Sequence, residues 1–100
     1  MSDPRVSVVM PVRDAARTLG VALESLAAQT MREWELVAIP DRCTDSTPAI
    51  LAQAAAADSR IRIIDPPTPG LVPALNTGLA AACAPLIARF DADDECAPTR

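Results

Sequence analysis

One hundred residues, half of them apolar and 22% charged, suffice for one small domain with a core and argue against a disordered chain. Every basic residue is arginine, and the net charge of -4 excludes a nucleic-acid binder driven by a basic surface. With no Lys, His or Tyr, the chain cannot supply histidine acid–base catalysis, a Lys Schiff base or a P-loop lysine, so ionisable chemistry falls to Asp and Glu.

Residues 5–12, RVSVVMPV, are β-branched and apolar and read as a buried strand that Pro11 terminates. From Asp14 the period changes. Leu19, Ala22, Leu23, Leu26 and Ala27 recur at helical spacing, with Asp14 placed either to cap the helix or to wall a pocket. Trp34 to Ile39, WELVAI, makes a second strand, stopped by Pro40. Asp45-Ser46-Thr47-Pro48 signals a helix start, with a hydroxyl cap and Pro in the first turn, and Ile50, Leu51 and Ala54 form its inward stripe. Ile61 to Ile64 is a third strand ahead of the loop Pro66-Pro67-Thr68-Pro69-Gly70. Leu71, Ala74, Leu75, Gly78, Leu79 and Ala82 mark a third helix, in which Gly78 allows close packing on a sheet. Leu86 to Phe90 is the fourth strand.

The alternation βαβαβαβ predicts an α/β fold, a Rossmann-like three-layer parallel sheet of about four strands with three crossover helices. Chain order leaves strand order open. Cys43, Cys83 and Cys96 are odd in number and lack CxxC spacing, so reduced thiols in the cytoplasm are expected rather than disulfides or a zinc site. No signal peptide is legible, and no apolar run approaches the ~20 residues of a membrane span.

In a parallel sheet the loops that follow the strands gather at one edge, where open α/β sheets bind ligands. Here those loops are Pro11-Val12-Arg13-Asp14, Pro40 to Asp45, Asp65 to Gly70, and Asp91 to Glu95. The first lacks the glycines of a dinucleotide fingerprint and of a P-loop. The last crowds Asp91, Asp93, Asp94 and Glu95 together, so the like charges call for a cation; a solvated acidic turn starting a helix is the plainer alternative. A divalent ion on such carboxylates would bridge to phosphate oxygens.

SVVMPVRDAARTLGVALESLAAQT, ELVAIPDRCTDSTPAIL and GLVPALNTGLAAACAPLIARFDADD, in this order, resemble the N-terminal half of family 2 glycosyltransferases of the GT-A fold. The resemblance runs from about residue 5 to 100 and implies a partial GT-A fold in which residues 1–100 form the nucleotide-sugar-binding half. It implies inverting transfer from a nucleotide-diphosphosugar, UDP-, GDP- or dTDP-linked, assisted by Mg²⁺ or Mn²⁺ on the DxD aspartates. By position, Pro11, Arg13 and Asp14 line the base pocket and Asp41 resembles the acid that hydrogen-bonds the base. Asn76 matches a position beside the donor, Asp91 and Asp93 resemble donor contacts, and Asp93 and Asp94 resemble the metal ligands. No catalytic residue is expected here: the acceptor pocket and the general base belong to the family's C-terminal half. A fragment that binds nucleotide without turning it over is the alternative function. Peripheral membrane association stays open for a full-length protein.

Two departures stand out. Many relatives carry an aromatic residue where Arg13 stands, so stacking on the base would fall to a guanidinium. Relatives often read Asp-Asp-Gly-Ser where this chain reads Pro40-Asp41-Arg42-Cys43, which leaves Arg42 to meet a phosphate or solvent.

Overall fold

The structure, a computed structural model, describes residues 4–29 and 32–90. The elements run β1 (Val6–Val12), α1 (Ala16–Ala27), β2 (Trp34–Pro40), α2 (Thr47–Ala57), β3 (Ile61–Ile63), α3 (Leu71–Ala81) and β4 (Leu86–Arg89). All strand pairs are parallel, in the order β3-β2-β1-β4. The chain thus steps outward from β1 to β3 on one face and returns through α3 on the other to lay β4 against β1.

Side chains alternate across each strand, so β1 and β2 feed two cores. Val8, Met10, Val12, Leu36 and Ala38 pack with Leu19, Ala22 and Leu26 of α1 and Leu51 of α2. Val9, Val37 and Ile39 meet Ala74 of α3 on the opposite face. Gly78 lets α3 lie this close: a Cβ there would fall 2.8 Å from Ile39 Cδ1 and nearer still to Val9 Cγ1. The predicted stripe of α3 is nevertheless mostly uncovered. Only Ala74 and Gly78 are buried, while Leu71 and Leu79 are exposed.

Pro11 does not end β1 as the sequence suggests; it lies inside the strand, paired in register with Ile39. Val9 O accepts from Phe90 N–H, on the β4 side, and Pro11 shares that orientation two residues on. The described β4 pairing stops at Val9↔Arg89, so the missing proline N–H leaves no ladder position empty there. Pro40 closes β2 by the same device. Ala38 O faces β3 and accepts from Ile64 N–H, and β3 pairing stops at Ala38↔Ile63.

β4 is an edge strand with Leu86 to Arg89 all exposed. At the other end of the sheet, Glu35 ties four segments together. Its carboxylate accepts from the Ser7 hydroxyl, from Cys83 N–H at 2.7 Å and from Arg62 Nη1 at 2.9 Å, while Ser7 Oγ accepts from Ala84 N–H at 3.0 Å. Burial pushes the Glu35 carboxyl up, but the bonds from Ser7, Cys83 and Arg62 and the Arg62 charge outweigh it and hold it below its ordinary value.

Candidate donor-binding site

The strand order reverses between β1 and β4, so the switch point of the sheet lies where Val12 ends β1 and Arg89 ends β4. Phe90 is buried against the α1 side of the core and bonded through its N–H to Val9, which delivers the chain to this crevice immediately before Asp91. Asp91, Asp93 and Asp94, the expected donor and metal ligands, lie outside the described residues. Among the described residues no cluster of three His, Cys, Asp or Glu side chains could hold a metal ion.

Beside the switch point, a cleft of about 170 Å³ is lined by Pro11, Val12, Arg13, Asp41, Arg42, Leu71 and Ala74. A second, of about 340 Å³, continues over Pro40, Asp41, Arg42, Asp65 and Pro66 to Pro69. Asp41 and Arg42 line both. The first cleft is too small for a whole nucleotide, but with its neighbour it reaches the size range of small-molecule sites. Three predicted site residues therefore come together from two segments far apart in sequence, Pro11 and Arg13 from the end of β1 and Asp41 from the end of β2. Leu71 and Ala74, which the sequence marks only as a helical stripe, supply the apolar wall.

Asp41 is buried, with 6% of its surface exposed. Its N–H donates to Val12 O at 2.8 Å, which continues the β1–β2 pairing one residue past β2. Its Oδ2 accepts from the N–H of Gly70, the residue that enters α3 at φ 118°, at 3.1 Å. Arg42 lies alongside, with Nε 3.3 Å from Oδ1 and Nη2 3.4 Å from Oδ2. The guanidinium meets a carboxylate, and not open solvent alone.

Asp14 is exposed and does not cap α1, because no side chain of its own segment caps that helix. Asp14 Oδ1 instead accepts from Thr44 N–H at 2.6 Å and Asp45 N–H at 3.3 Å, and the Thr44 hydroxyl reaches Oδ2 at 3.2 Å. The service is returned. Asp45 Oδ2 accepts from Ala16 N–H at 3.1 Å and Thr47 Oγ1 from Ala15 N–H at 2.9 Å, so the α2 loop caps α1. Hydrogen bonds from the Thr47 hydroxyl and amide, with a further one from the Ala16 amide, hold the Asp45 carboxyl below its ordinary value. The loops after β1 and β2 are one interlocked unit. Asn76 stands apart, exposed on α3 and outside both clefts.

Residues 7–100 match the glycosyl transferase family 2 pattern, and the chain belongs to that family. It is 41% identical over 101 residues to EpsE of Bacillus subtilis, which carries the name glycosyltransferase, covering 99% of this chain and 36% of that protein. It is 34% identical over 95 residues to WfgD of Escherichia coli, a UDP-Glc:alpha-D-GlcNAc-diphosphoundecaprenol beta-1,3-glucosyltransferase, covering 94% of this chain and 37% of that one. The mannosyltransferase PcManGT from Pyrobaculum calidifontis, solved with GDP-Man and Mn²⁺, superposes with a TM-score of 0.81 at 26% identity over 92% of this chain and 28% of its own. The fold is the partial GT-A sheet that the sequence implies. The chain spans about a third of the length of EpsE and of WfgD.

Proposed function

We propose that this chain is the donor-binding part of a glycosyltransferase that transfers a sugar, with inversion, from a nucleotide-diphosphosugar. The carrying observation is the placement of Asp41 at the floor of a ring-sized cleft next to the switch point, with Arg13 and Pro11 on its walls. An aspartate there accepts a hydrogen bond from a base N–H, and the Arg13 guanidinium stacks on the ring. The names of WfgD and PcManGT, which speak of UDP-Glc and GDP-Man, support a uridine or guanosine diphosphate donor.

The chemistry of Asp93 and Asp94 fits a hard divalent cation, which takes carboxylate and phosphate oxygens, and the Mn²⁺ in PcManGT supports the same reading. Mg²⁺ or Mn²⁺ bound there would neutralise the pyrophosphate as it leaves. This chain's own residues bind and orient the donor; the base that takes the acceptor's proton is assigned to the remainder of the family's domain.

Titration of the full-length protein with UDP and GDP, with Mn²⁺ and after chelation, tests the assignment. Diphosphate binding that weakens on chelation and in Asp94→Ala, with nucleoside binding retained, is the expected result. Equal loss of nucleoside and diphosphate binding in Asp94→Ala would remove the metal role. Binding with no turnover of any nucleotide-sugar would favour the non-catalytic alternative.

A further inference from the structure

Arg42 is the residue of this site that the family's usual Asp-Asp-Gly-Ser sequence does not explain. It sits at φ 51°, a left-handed conformation that an arginine adopts only under constraint and that glycine would adopt freely. It holds that position beside a buried carboxylate, at 3.3 and 3.4 Å through Nε and Nη2, and it lines the cleft with Asp41. Among the described residues its Nη1 makes no hydrogen bond, and the side chain is half-exposed. A buried acceptor and a half-exposed donor are therefore paired side by side on the lining of a ring-sized slot, where the sequence shows only a turn.

We propose that Arg42 is a specificity-determining residue that, paired with Asp41, reads the base edge of the donor; the proposal rests on the donor-site reading above. Uracil, thymine and guanine each present a ring N–H next to a carbonyl, which complements a carboxylate acceptor next to a guanidinium donor. Cytosine and adenine present the reverse, an unprotonated ring nitrogen next to an amine. Each would set a lone pair against the buried Asp41 carboxylate and an N–H against the Arg42 guanidinium, so like would face like at both positions. Asp41 Oδ2 already accepts from both Gly70 N–H and Arg42 Nη2, whereas Oδ1 meets Arg42 Nε alone and so keeps a lone pair for a base N–H.

The test is binding of UDP, GDP, CDP and ADP to the full-length protein and to its Arg42→Gly, Arg42→Ala and Asp41→Asn variants. The unmodified protein should prefer UDP or GDP over CDP and ADP by about tenfold or more. Arg42→Gly relaxes the backbone at this position but removes the ion pair to Asp41, a loss that Arg42→Ala shares, and in both variants the preference should collapse to within about threefold. Asp41→Asn, whose amide can donate, should shift the ratio toward CDP. An unchanged UDP-to-CDP ratio in Arg42→Gly and Arg42→Ala overturns the proposal. So does an equal loss for UDP and CDP with uridine binding untouched, which would make Arg42 a phosphate contact. Failure of the underlying reading looks different: Asp41→Asn would then leave every nucleotide affinity where it was, and this proposal would fall with it.

Discussion

The Glu35 carboxylate and the Arg62 guanidinium meet at 2.9 Å across neighbouring strands, 27 residues apart in sequence. Around that pair gather Ser7 and the amide of Cys83, so one acid joins β1, β2, β3 and the turn into β4 at the end of the sheet remote from Asp41. Because the folded Glu35 titrates below its ordinary value of 4.5, its stabilising contribution is complete above that pH and is lost as pH falls through the folded value. Urea midpoints followed from pH 7 to pH 3 should therefore drop more steeply in the unmodified protein than in Glu35→Gln. At neutral pH, Glu35→Ala should cost about 2–3 kcal/mol, less than a fully buried pair because Arg62 still reaches water.

Two glycines give opposite signs. Gly20 lies inside α1 with nothing within 4 Å of an added Cβ, so Gly20→Ala should stabilise the fold by about 0.5–1 kcal/mol. Gly78→Ala offers the same helix gain but drives its Cβ into Val9 and Ile39, and overpacking of about 1–3 kcal/mol should leave it destabilised. Chemical denaturation of the two variants side by side checks both. Equal signs would mean that α3 does not need its close approach to β1.

Asn76 separates a ligand role from a structural one. Its side chain makes no hydrogen bond among the described residues and is exposed on α3, so Asn76→Ala should leave stability within about 0.5 kcal/mol. Any fall in affinity for a nucleotide-sugar, measured against the bare nucleoside diphosphate, would then report contact with the sugar or phosphate end. No change in either affinity would remove Asn76 from the donor site.

The strands and helices were legible because each depends on local pattern. RVSVVMPV and WELVAI are β-branched and apolar, and Leu19, Ala22 and Leu26 fall on one helical face. What could not be read depends on which strands become neighbours. Strand order β3-β2-β1-β4 puts Arg62 beside Glu35, and no spacing between residues 35 and 62 announces it. Pro11 misled for a related reason: its lost N–H costs nothing only because the described pairing with β4 stops at Val9. In the site, the convergence of Pro11, Arg13 and Asp41 followed from parallel strands alone. The partners of Asp14 and Arg42 did not, because each is chosen by loop conformations at positive φ that the residue types do not demand.

The interlock of Asp14 with Thr44 and Asp45 turns that loop geometry into a measurable link between fold and binding. Asp14 stands at φ 48° and holds two backbone amides of the opposite loop, while Asp45 and Thr47 hold the first amides of α1. Asp14→Gly frees the backbone conformation but removes the acceptor, whereas Asp14→Asn tolerates the conformation and keeps one side-chain oxygen. The loops so joined carry Arg13 on one side and Asp41 and Arg42 on the other, so loosening them widens the cleft without touching a ligand. Nucleoside diphosphate affinity should therefore fall in the order unmodified, Asp14→Asn, Asp14→Gly, by about tenfold across the series, the cost of a geometry no longer held ready. Amide exchange at Thr44 and Asp45 should quicken in the same order. Faster exchange with undiminished affinity would show that the two loops are fastened for the sake of the fold alone.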